Sequence, residues 1–164
     1  MSLFRIFACV AGVLALTEPG AAQTNPKPAE DPHAHHVLAG VSTINGEVPP
    51  GVVRGLQDVT VLLDTITSRG DRLLVVRGTR LAGTRVGIHV HEYGGHTCVL
   101  SGTVTDFVEG KPVSVQPAGT CYYMPADTPM SAANLGAEDA VLVDTFQLPP
   151  DAATITIVEP GVTP

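Results

Sequence analysis

Two histidines, His89 and His91, stand one residue apart in the alternating segment Thr84-Arg85-Val86-Gly87-Ile88-His89-Val90-His91. On an extended strand, residues i and i+2 leave the backbone on the same side, so both imidazoles can reach one ion. Imidazole suits zinc, copper, iron and nickel alike. On a surface strand the same spacing gives only two solvated rings, so the chemistry depends on a fold that encloses the pair. Three further histidines, His33, His35 and His36, cluster upstream. Such a tract either captures metal or simply keeps a leader polar.

The elements that must hold the pair are short strands. Apolar or alternating runs recur at 59–63, 73–76, 84–91, 97–100, 103–108, 113–115, 120–124, 140–146 and 154–158, with Gly, Pro, Asn or Asp between them. No helical period of useful length appears. Seventeen Gly, fourteen Pro, no Trp and 4% aromatics favour tight turns around an aliphatic core. This spacing predicts an all-β sandwich or barrel, and a small barrel encloses its inward-facing side chains.

A chain of 164 residues has room for one such domain. The expected division is a signal peptide over 1–22, a flexible His- and Pro-containing leader and approach over 23–57, a barrel core over 58–148, and a final strand and tail over 149–164.

The surroundings of the histidines resemble the cupin superfamily, whose motifs read G-x5-H-x-H-x3/4-E-x6-G and G-x5-P-x-G-x2-H-x3-N. Gly83, His89, His91 and Gly102 fit the first, and Gly119, Pro125 and Asn134 fit the second. Two half-patterns at a fixed separation are far more specific than either alone. The resemblance spans about 59–146 and implies a jelly-roll antiparallel β-barrel.

The departures bear on function. Counted back from Gly102, the family's glutamate position is Gly95; counted forward from His91 in the longer form, it is His96. One residue on a strand reverses the face, so His96 faces inward only if Gly94-Gly95 forms a bulge. In the second motif Asp127 stands at the glycine and Met130 at the histidine. The resemblance places Met130 toward the interior, either as a soft ligand favouring copper or as apolar filler. The implied metal set is therefore His89, His91, His96 and Met130, holding a divalent ion or copper of unassigned identity. Tyr93, in the glycine-rich loop after the pair, is the tyrosine expected to orient a small ligand. Glu92 and Asp127 are the nearest carboxylates by motif position.

Arg5, the uncharged run 6–16 and the small residues Gly20-Ala21-Ala22 read as a secretory signal, and the apolar run is too short to span a bilayer. Cleavage there removes one charge of each sign and keeps the net charge at −7. Without a basic stripe, nucleic acid and anionic membrane surfaces are poor partners. Export to a periplasm or the exterior leaves two cysteines, Cys98 and Cys121, in an oxidising setting. The resemblance sets their strands side by side, and a disulfide ranks above free thiols or metal ligation.

No nucleophile elbow, P-loop or dinucleotide fingerprint is present. Three functions remain open: a metal-dependent enzyme of the oxygenase, isomerase or lyase kind, a copper-binding protein, and a non-catalytic small-molecule barrel. Pairing of two barrels into a homodimer is a further expectation from the resemblance.

Overall fold

In a computed structural model, residues 40–163 are described. The expected signal peptide and the cluster at His33, His35 and His36 lie outside them. The strands are β1 Val52–Val53, β2 Gln57–Ile66, β3 Arg72–Arg80, β4 Thr84–Arg85, β5 His89–Val90, β6 Gly95–Ser101, β7 Thr103–Val108, β8 Ser114–Pro117, β9 Cys121–Met124, β10 Met130–Ala133, β11 Ala140–Leu148 and β12 Thr156–Ile157.

They form two sheets. One runs β2-β3-β11-β6-β9; the other runs β1-β4-β10-β5-β12, with β7 also on β10 and β8 on β7. Among the described residues there is no helix. The architecture is the jelly-roll barrel that the sequence implied, closed by pairings between strands far apart in the chain.

Alternation decides what faces inward. On β11, Leu142, Phe146 and Leu148 are buried, and on β3 so is Leu74. With Val108, Met124 and Met130, three of these make the larger apolar cluster; Val99, Val104, Ala140 and Leu142 make a second. A third, Ile44, Ile88 and Val158, packs the chain before β1 against β5. Part of the expected flexible approach is thus docked: Ile44 is buried and β1 pairs in parallel with β4. At the other extreme, β2 is an edge strand exposed along its whole length.

Cys98 and Cys121 are directly opposed across β6 and β9 and form a disulfide. Tying residues 23 apart removes on the order of 3 kcal/mol of chain entropy from the unfolded state.

One carboxyl is buried at a cost. Asp106 lies between the inward residues Val104 and Val108 on β7, and its Oδ1 has no hydrogen-bond partner. Burial pushes its pKa up to about 6, against a partial opposing pull from Lys111. Because the folded value lies above the unfolded one, stability is fullest below the ordinary carboxylate range and is lost as pH rises through about 6. Asp106→Asn should therefore gain about 2–3 kcal/mol more at pH 7.5 than at pH 4 in urea unfolding. The same gain at both pH values would show that ionisation is not the cost.

Candidate metal and ligand site

The His89 and His91 rings enter the barrel together. Both residues are 4% exposed, and their Nε2 atoms stand 3.1 Å apart. Each ring is held from behind: His89 Nδ1 is 2.8 Å from the Gly87 carbonyl, and His91 Nδ1 is 2.5 Å from that of Thr154. A carbonyl only accepts, so each Nδ1 carries the proton and each neutral Nε2 presents a lone pair.

Two acceptors therefore face one another, and a cation bound to both would satisfy them together. A proton is a poor choice. Burial, then repulsion from His91, lowers the pKa of His89 to about 3, and burial also lowers that of His91. A metal ion fits better, since 3.1 Å lets one ion touch both nitrogens at the usual distance of about 2.0–2.1 Å. Carbonyl-anchored Nδ1 protons are also how metal-binding histidines are commonly oriented.

Among the described residues no group of three or more His, Cys, Asp or Glu side chains converges. The larger set expected from the sequence therefore needs correction at His96. Its side chain is exposed and stacks on Tyr123, 5.3 Å between ring centroids, on the outer face. The bulge that would have turned it inward does not form; the shift in β6–β11 pairing falls later, at Val141/Leu142. Gly95 takes the inward position instead, and a Cβ there would meet Met124 Cε and Phe146 Cδ1, each at 2.8 Å. Phe146 and Met124 thus fill the space a glutamate ligand would need.

Met130 pairs in register with His89 and is 1% exposed. Its side chain packs in the larger apolar cluster and is not among those lining the cavity beside the histidines. Asp127, at the motif's glycine, has a φ of 51°, and its N–H donates to the His91 carbonyl at 2.9 Å. A short polar side chain tolerates that left-handed backbone better than most. Tyr93 is 37% exposed and does not line the cavity either.

That cavity, of about 310 Å³, lies between the sheets. Apolar side chains such as Leu74, Val76, Leu142 and Phe146 make most of its wall. Its polar lining, apart from the histidines, is Arg54, Arg80, Thr97, Tyr122, Asp144, Thr154 and Thr163, none of them expected from the sequence as a site residue. Tyr122, Thr97 and Asp144 form a row across β9, β6 and β11, each opposite the next in register. The Thr97 hydroxyl donates to Asp144 Oδ1 at 2.6 Å. Burial raises the pKa of both Tyr122 and Asp144, which favours their protonated forms. Strand parity could have found Tyr122, because an outward Cys121 forces its neighbour inward.

Residues beyond β12 complete the enclosure. Val162 packs against Gly87, where a Cβ would sit 2.8 Å from its Cγ1. The Glu159 carboxylate takes two bonds from Arg85, at 2.6 and 2.7 Å, and one from the Ile88 N–H at 2.7 Å.

No protein-family model matches the chain, and no curated protein does. Solved structures do. A conserved protein from Klebsiella pneumoniae with a double-stranded β-helix domain is 26% identical, with a TM-score of 0.51 over 65% of this chain and 90% of that one. The DMSP lyase DddQ from Ruegeria pomeroyi gives 15% identity and a TM-score of 0.52, over 66% of this chain. An oxalate oxidase in complex with the substrate analogue glycolate gives 19% and 0.51, over 61%. The matches cover only 54% of each of these two enzymes' chains. Among the described residues no helix is long and apolar enough to cross a membrane. The two-sheet barrel and these likenesses agree on the fold, a double-stranded β-helix of the jelly-roll kind that the cupin-like motifs implied.

Proposed function

We propose that the protein is an exported cupin barrel that holds a metal ion at His89 and His91 and takes a small organic molecule in the adjoining cavity. The observation that carries this reading is the pair of Nε2 lone pairs facing each other 3.1 Å apart in a buried site. The N-terminal signal pattern and the Cys98–Cys121 disulfide support export to an oxidising compartment.

A bound ion would act as a Lewis acid toward an oxygen-bearing ligand. The chain's own groups do the rest. Gly87 and Thr154 fix the two rings, the apolar wall excludes water, and Tyr122 and Thr97 offer hydroxyls to the occupant. Only two protein ligands leave several coordination positions to water or to the ligand itself.

Metal analysis of the purified protein tests the proposal. The wild type should carry close to one ion per chain, and His89→Ala/His91→Ala should carry almost none while keeping its β-sheet circular dichroism. Equal, near-zero metal in both proteins, even after incubation with zinc, copper, iron or manganese salts, would remove the metal from the reading.

A further inference from the structure

Arg80 is a buried cation that forms no ion pair among the described residues. It is 4% exposed and lines the cavity. One Nη donates to the Arg54 carbonyl, a neutral partner, and Nε has no hydrogen-bond partner at all. It forms no ion pair with any described carboxylate, the ion pairs there being Arg72–Asp64 and Arg85–Glu159. A guanidinium does not escape burial by losing its proton, so it must be compensated by an opposite charge.

The carboxyl that shares the cavity is poorly suited to that role. Asp144 already accepts the Thr97 hydroxyl, and burial raises its pKa toward the neutral form. Arg80 does face the other polar groups, because its charge acts on His89 from one wall and on Tyr122 and Asp144 from the other. The site thus presents a guanidinium whose Nε is unused, at one point of a small, mostly apolar chamber that Arg54 also lines. Planar bidentate recognition of a carboxylate is what such a donor does best.

We infer that the cavity binds a small aliphatic carboxylic acid, with its carboxylate on Arg80 and its hydrocarbon part against Leu74, Val76 and Leu142. The volume, about 310 Å³, is at the lower end for ligand pockets and restricts the guest to a compact molecule. The inference rests on the cavity being a small-molecule site and not on the metal.

Calorimetric titration with butyrate and hexanoate, and with their primary amides, tests it. The acids should bind roughly 10- to 100-fold more tightly than the amides, the range expected for a charge-assisted bond. Arg80→Met should erase that preference while bound metal stays at the wild-type level. Titrations on chelator-treated protein separate the two sites, because a preference set by Arg80 survives metal removal. Acids and amides binding within about threefold of each other would overturn the inference. So would a preference that disappears with the metal and persists in Arg80→Met, or no binding of either acid up to about 10 mM. The wild-type comparison decides the matter even if Arg80→Met fails to fold.

Discussion

Gly95→Glu, which restores the carboxylate of the family motif, is expected to destabilise the barrel by on the order of 5 kcal/mol or to prevent folding. Any Cβ at this position starts 2.8 Å from both Met124 Cε and Phe146 Cδ1. A longer, ionised side chain adds overpacking and an uncompensated charge to that clash. Metal affinity should not rise while Phe146 holds the space beside His91, the two ring centroids being 5.4 Å apart. The cause is steric, so the cost should be coupled to Phe146. In a Phe146→Ala background the same substitution should lose at least about 2 kcal/mol less than in the wild type. Additive effects in denaturant unfolding would show that Phe146 is not what occupies the glutamate's space.

Glu159→Ala carries the second large effect. Among the described residues its carboxylate is the ionic partner of Arg85, whose side chain is 5% exposed, and it also caps the Ile88 N–H. Removal leaves Arg85 buried and unpaired, a loss of about 3–5 kcal/mol for pairs of this kind. The bonds from Arg85, and then the Ile88 N–H, hold the Glu159 pKa below its ordinary value. A depressed folded value means that the contribution is present above about pH 4.5 and is lost as pH falls through the folded pKa. The wild type and Glu159→Ala should therefore differ widely at pH 7 and converge under acid conditions. A gap that is unchanged at pH 3, or below about 1 kcal/mol at pH 7, would mean that the pair is not what secures this segment.

These two positions also show how far the sequence could be read. Every run noted in it overlaps at least one strand, because short strands with one buried face leave a period of two. The segment 84–91 was read as one strand but is two, β4 and β5. Its middle is diverted where Gly87 meets Val162, a partner 75 residues on that local pattern cannot reveal. Strand β10, Met-Ser-Ala-Ala, was not legible because small residues give no amphipathic signal, and β1 is a two-residue pairing set by its approach.

The site divides in the same way. His89 and His91 were legible because parity alone puts them together, and the facing of Cys98 and Cys121 followed from family register. His96 was not, because its direction depended on whether Phe146 and Met124 left room at Gly95. Arg80 looked like an ordinary charged strand end. Its lack of an ion pair became visible only once the nearest carboxyl, Asp144, was seen to be taken up by Thr97.

The carbonyl that orients His91 belongs to Thr154, 63 residues further along the chain. A growing polypeptide exposes both imidazoles long before that lock exists, so the ring is free to adopt either tautomer until the late segment has been made and docked. Orientation of the His91 ring is thereby tied to near-completion of the barrel, and an incomplete chain would present its imidazoles without the fixed geometry that the closed barrel gives them.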